Sequence, residues 1–168
     1  MFLLRSTRTA LRLSRNLYEA NLRTYPVRVL CCEYILSIRD FSAEEKDYRN
    51  MVDPRRVVSY DDMLKVINQP QKVIIDVRDP EEVESTGKIP SSINIPLDGV
   101  HDALVTMSNE DFRRNFQREK PAISDELIFY CRTGRRSSEA LDKALKLGYN
   151  NSKTYLGSWS EWSSRRKS

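Results

Sequence analysis

The apolar positions of the chain follow two periods. Short continuous runs occur at Val57-Val58, Val73-Ile74-Ile75-Asp76-Val77, Ile93-Asn94-Ile95, Leu127-Ile128-Phe129-Tyr130 and Tyr155-Leu156. Runs of this length, several of them β-branched and bounded by polar or turn residues, predict strands buried in a parallel sheet. They are expected over 56–59, 73–77, 93–95, 127–130 and 153–156. Between them the apolar residues recur at helical spacing. Ser59 reads as a helix cap with Asp62 three residues on. Met63, Leu64 and Ile67 form the inward side, and Asn68-Gln69-Pro70 stops the helix. Asp79-Pro80-Glu81-Glu82 opens a second, short helix that ends near Gly87. Ser108 opens a third, carrying Phe112 and Phe116 and closed near Pro121. Ser137 to Leu147 predicts a fourth, with Ala140, Leu141, Ala144 and Leu145 inward. Glu139–Lys143 and Asp142–Lys146 lie outside as i,i+4 pairs, and Gly148 is its stop. Gly157-Ser158-Trp159 leads into a terminal turn ending in Trp162.

Strand and helix thus alternate five times with short connections. The expected class is α/β: one domain, a parallel sheet flanked by helices on both faces. A chain of 168 residues is long enough to bury one real core. In such sheets the functional crevice lies beyond the carboxyl ends of the strands.

Charge changes the picture at one end only. Residues 1–41 hold seven arginines against Glu19, Glu33 and Asp40, whereas residues 42–168 are net neutral. The excess of +4 therefore belongs to the N-terminus and is no argument for nucleic-acid binding. The first 18 residues carry no acid. Arg5, Arg8, Arg12 and Arg15 fall on one helical stripe, opposite Leu3, Ala10, Leu13 and Leu17. This Arg-rich, Ser-rich amphipathic composition is that of a mitochondrial transit peptide, expected over residues 1–41. Arg39-Asp40-Phe41-Ser42 resembles a matrix-processing site, so a mature chain starting near Ser42 is expected in the mitochondrial matrix. Residues 42–55 are polar and read as a linker, 56–163 as the domain, and 164–168 as a basic tail. No apolar run approaches the roughly 18–20 residues of a membrane span.

The cysteines are Cys31, Cys32 and Cys131. Adjacent Cys31 and Cys32 are a poor disulfide pair, and the absence of a spaced framework argues for a reducing compartment. One histidine and no Cys-x-x-Cys leave no metal pattern, and no cofactor is expected. Cys131 is different. It stands where the strand 127–130 stops, and Arg132-Thr133-Gly134-Arg135-Arg136 leads from it straight into a helix expected at Ser137. The thiolate is the nucleophile, so such a site needs local positive character. Histidine is the usual helper, but His101 lies in a distant connection and nothing supports a pair. The helix N-terminus offers unpaired N–H groups and a favourable dipole. Gly134 lets the loop fold back so that several N–H groups converge into an anion nest. Arg132, Arg135 and Arg136 add charge. A buried, inert cysteine is the bland alternative; an arginine-rich loop at a sheet's mouth argues against it.

Four motifs, in order, resemble the rhodanese family of sulfurtransferases over about residues 55–163. They are Val73-Ile74-Ile75-Asp76-Val77-Arg78-Asp79-Pro80-Glu81-Glu82, Gly87-Lys88-Ile89-Pro90-Ser91-Ser92-Ile93-Asn94-Ile95-Pro96, Tyr130-Cys131-Arg132-Thr133-Gly134-Arg135-Arg136-Ser137 and Gly157-Ser158-Trp159-Ser160-Glu161-Trp162. The resemblance implies a single rhodanese-like domain in which Cys131 takes up a sulfane sulfur as a persulfide and passes it to a nucleophile. It implies a persulfide cradle made by the backbone of Arg132 to Arg136, with Asp76, Arg78 and Ser137 in support; for Asp76 and Arg78 a structural ion pair is the simpler role. Two positions depart from the family. Lys88 stands where His is frequent and Ser158 where a second Gly is frequent, and both are expected to affect packing more than chemistry. The related phosphatases have a longer loop, with Arg six places after the Cys; here that place is Ser137, and the shorter loop suits a sulfur atom.

The expected activity is transfer of sulfur from a small anionic donor such as thiosulfate to a thiol or cyanide, with glutathione or thioredoxin as candidate thiols. Two further readings stand beside it: a persulfide relay fed by a partner protein, and a non-catalytic interaction domain.

Overall fold

The computed structural model describes residues 48–166. The expected transit peptide, its cut near Ser42, Cys31, Cys32, the first part of the linker and the last two residues of the tail lie outside them.

Within the described residues the chain runs α1 (Tyr60–Val66), β1 (Val73–Asp76), α2 (Pro80–Thr86), β2 (Ile93–Asn94), α3 (Asn109–Phe116), β3 (Leu127–Tyr130), α4 (Arg135–Lys146), β4 (Lys153–Thr154) and α5 (Ser158–Arg165). The four strands form one parallel sheet in the order β2-β1-β3-β4. In register, Asp76 at the end of β1 lies beside Tyr130 at the end of β3, so the two central strands leave the sheet at the same end. Alternate side chains of each strand serve opposite faces. Val73, Ile75, Leu127, Phe129 and Cys131 join Phe112, Ala140, Leu141 and Ala144 in one buried cluster. Ile74, Ile128 and Tyr130 join Met63, Val66, Tyr155 and Trp162 in the other. Helices therefore cover both faces, as the alternating pattern predicts. Among the described residues no helix is long and apolar enough to cross a membrane.

Four expectations change in detail. The strand expected over 56–59 reduces to one bridge, Val57 to Thr154, because Arg56 belongs to a 3-10 turn (Pro54–Arg56) and Ser59 caps α1. Leu64 is 40% exposed, while Val66 and Met63 are buried. At 100° per residue, positions 63, 66 and 67 share a stripe that 64 leaves. Helix α4 begins at Arg135, two residues before the expected Ser137. Gly134 adopts φ +107°, and its carbonyl already accepts from the Ser138 N–H (3.0 Å), so the helical ladder starts there. Residues 48–55, read as linker from their polarity, fold onto the domain that opens at Arg56. Val52 packs against the first cluster, and Arg56 donates to the carbonyls of Asn150 (2.7 Å) and Ser152 (3.1 Å).

Candidate active site

Cys131 follows β3 directly and keeps the strand's alternation, so its side chain shares the face of Leu127 and Phe129 and is 1% exposed. Its Sγ lies under the turn that opens α4. The Gly134 N–H donates to it at 3.1 Å.

The loop carbonyls explain why. Cys131 O accepts from the Trp159 N–H (3.0 Å), and Arg132 O accepts from the Ser160 N–H (3.0 Å) and hydroxyl (2.8 Å). Thr133 O accepts from the Tyr48 hydroxyl (2.8 Å). Gly134 O accepts from the Ser138 N–H and from the hydroxyls of Ser137 and Ser138, both at 2.9 Å. Every one of these carbonyls is held from outside the loop or from the helix behind it. In a trans peptide the N–H points opposite to its carbonyl, and among the described residues no peptide bond is cis. The N–H groups of Arg132, Thr133, Gly134 and Arg135 therefore face away from those anchors, and that of Gly134 meets Cys131 Sγ. Gly134 is required here twice: by its positive φ, and because a Cβ would stand 2.6 Å from the Leu156 carbonyl oxygen.

The supporting residues act at one remove. The Asp76 and Arg78 side chains are buried and paired, with Arg78 Nη2 2.6 Å from Asp76 Oδ2. Arg78 also donates to Thr86 Oγ1 and the Gly87 carbonyl, both at 2.8 Å, and lies 4.9 Å over the Trp159 ring. The Trp159 under it is the residue whose N–H holds Cys131 O. Tyr130 closes this region: its hydroxyl accepts from the Ile89 N–H (3.0 Å) and is 2.9 Å from Ser92 Oγ. Burial pushes that hydroxyl above the ordinary tyrosine range, so it stays neutral. Ser137 is fully buried and accepts from the Thr154 hydroxyl (2.9 Å), tying Gly134 to β4.

The three arginines separate. Arg132 and Arg135 are exposed. Arg136 is turned to α2, where its guanidinium bonds Glu82 at 2.5 and 2.9 Å and Asp79 at 3.2 Å. Hydrogen bonds from Arg136 pull the Glu82 carboxyl down to about 2, against the opposing effect of burial. The charge of Arg136 is thus spent between α2 and α4. His101 is exposed, with Nδ1 3.4 Å from the adjacent Asp102. Among the described residues no group of three or more His, Cys, Asp or Glu is placed to hold a metal ion.

The rhodanese-like domain family matches residues 59–165. The chain belongs to that family. A mouse relative, thiosulfate sulfurtransferase/rhodanese-like domain-containing protein 3, is 44% identical over 62% of this chain and 66% of its own, just under two thirds of its length. The thiosulfate:glutathione sulfurtransferase of Saccharomyces cerevisiae is 38% identical over 62% of this chain and 75% of its own. The mitochondrial thiosulfate sulfurtransferase RDL2 of the same yeast is 36% identical over 64% and 72%. The crystal structure of RDL2, described as a single-domain sulfurtransferase, superposes with a TM-score of 0.57 over 66% of this chain and 89% of that one.

Seen as a rhodanese, the chain's two departures are unequal. Lys88 donates to the Ser92 carbonyl (3.1 Å), a local contact. Ser158 is more than packing. It holds φ +53°, which accounts for a glycine preference at this place, and it is fully buried. Its hydroxyl donates to the Tyr155 carbonyl (2.8 Å), accepts from the Cys131 N–H (3.3 Å) and lies 4.0 Å from Cys131 Sγ. Sequence reasoning also missed Ser160 and Tyr48. Their hydrogen bonds join segments distant in the chain, and no local pattern announces them.

Proposed function

We propose that this rhodanese transfers a sulfane sulfur from a small anionic donor such as thiosulfate to a thiol or cyanide acceptor, through a persulfide on Cys131. The observation that carries this reading is the outward anchoring of four successive carbonyls together with the Gly134 N–H on Sγ, which supports a cradle built from the N–H groups of residues 132–135. The Cys131 thiolate attacks the outer sulfur of thiosulfate, the S–S bond of the donor breaks, and sulfite leaves with the electron pair. The terminal sulfur of the Cys131 persulfide then carries negative charge, which the N–H cradle and the α4 dipole accept. An acceptor thiolate or cyanide attacks that sulfur, the persulfide bond breaks, and its electron pair returns to Cys131. No oxidant or cofactor is needed for the balance. Arg132 and Arg135, exposed at the rim, draw the donor anion in. Arg136 keeps α4 in place against α2, and Asp76, Arg78 and Ser137 hold the loop's supports.

Glutathione and thioredoxin are the acceptors proposed, the former supported by the activity named for the yeast relative. The composition of residues 1–41 and the mitochondrial relative support action in the mitochondrial matrix. In the same reading residues 1–41 are a transit peptide, 56–163 the domain and 164–168 a basic tail. Treating the purified chain with thiosulfate should add one sulfur to the Cys131 peptide, read by mass spectrometry, and Cys131→Ser should abolish transfer to cyanide or glutathione. A Cys131 peptide that gains no sulfur would sink the reading. For targeting, residues 1–41 should carry a fluorescent reporter into mitochondria; a cytosolic reporter overturns it.

A further inference from the structure

The segment upstream of the family match reaches the active-site loop. The match begins at residue 59, whereas the hydroxyl of Tyr48 donates to the Thr133 carbonyl at 2.8 Å. The same peptide unit, Thr133–Gly134, presents the N–H that donates to Cys131 Sγ at 3.1 Å. Tyr48 and the sulfur therefore bind opposite ends of one peptide group. Behind Tyr48, Arg49 Nε donates to the tyrosine oxygen at 3.2 Å, and Arg49 Nη2 lies 3.5 Å from the Thr133 oxygen. The groups form one series: guanidinium, phenol, peptide, sulfur.

The direction of that series matters. Each donor bond withdraws electron density from the next group and strengthens the bond that group donates. A cation at the far end polarises the phenol, the phenol polarises the peptide carbonyl, and the Gly134 N–H becomes a better donor to a negative sulfur. Tyr48 is also held in place rather than trailing past. Val52 packs into the core, Asp53 caps the 3-10 turn at Pro54–Arg56, and Arg56 binds the connection between α4 and β4.

We infer that Tyr48 is a positioning residue for the sulfur site, with Arg49 as its polarising partner. The segment just before the domain thus completes the cradle that the domain only partly builds. This rests on the function proposed above, but its test does not need sulfur transfer. In the full chain, alkylation of Cys131 by iodoacetamide is followed on the Cys131 peptide by mass spectrometry, which separates it from Cys31 and Cys32. Tyr48→Phe keeps the ring and removes the hydroxyl. It is expected to slow alkylation near pH 7 by about threefold, the scale of one lost hydrogen bond in such a series. The loss should vanish at alkaline pH, where the thiol is ionised in both proteins. Arg49→Gln should move the profile the same way by less, and Arg49→Lys should restore part of it. A Tyr48→Phe profile superimposed on the parent's overturns the inference. Uniform slowing at every pH also overturns it, because that marks a loosened loop and not a weakened donor. A parent chain that alkylates normally yet takes up no sulfur would fail the proposed function alone, and the alkylation comparison decides this inference regardless.

Discussion

Helices α3 and α4 begin in opposite ways. At α3 the Ser108 hydroxyl accepts from the Asp111 N–H (3.1 Å), and Glu110 and Asp111 occupy the first turn. Side chains thus satisfy a free donor, and acids sit where the helix dipole is positive. At α4 the cap is Gly134, which has no side chain to offer, and the first turn holds Arg135 and Arg136 and no acid. That is the wrong charge for the dipole and leaves the first N–H groups without a capping side chain. The Glu82 carboxylate offsets one arginine from a neighbouring helix. In the proposed function, this start serves the negative charge of the Cys131 sulfur and of its donor. The lesson is that α3 settles its start with its own side chains, while α4 does not, and the proposed function reads that start as kept open for an anion.

Breaking the open start should have the largest effect. Gly134→Ala forces a side chain into a left-handed backbone and against the Leu156 carbonyl. It is expected to cost about 1–3 kcal/mol in denaturant unfolding and to lower sulfur transfer by roughly a hundredfold through a displaced cradle. Closing the start is subtler. Arg135→Glu gives α4 the charge that α3 has, so thermal stability should hold or rise by about 0.5 kcal/mol. The same change should lower kcat/KM for thiosulfate by about tenfold, with a gap that narrows as salt is raised. A variant that gained stability and kept its kcat/KM would refute the idea that the start is left open for an anion. Ser108→Ala, in contrast, should cost about 1 kcal/mol in unfolding and leave transfer untouched. The smallest effect concerns Glu82. Its folded value of about 2 lies below the ordinary 4.5, so the stability it adds is present above pH 4.5 and is lost as pH falls through 2. The difference in thermal midpoint between the parent and Glu82→Gln should therefore close as the solution is acidified over that range.

Much of this arrangement was legible along the chain. The runs at 73–77 and 127–130 and the caps at Ser59, Asp79 and Ser108 use local rules, and the strands and helices form where those rules put them. The start of α4 was misplaced for an instructive reason. Arg135 and Arg136 read as part of the arginine-rich loop after Cys131; in the fold Gly134 starts the helix at Arg135, against the dipole rule, and Glu82 pairs with Arg136. Leu64 was misassigned because, at 100° per residue, it turns off the stripe that Met63, Val66 and Ile67 share.

From the sequence alone come the parallel α/β order, the cysteine at a strand end and the glycine that bends the loop after it, since propensity, periodicity and turn chemistry act over a few residues. Tertiary structure decided which groups face the sulfur. The carbonyls of residues 131–133 are turned outward by Trp159, Ser160 and Tyr48, and Arg136 is drawn off by Glu82. Those partners lie tens of residues away in the chain, and only packing the sheet brings them within hydrogen-bond distance.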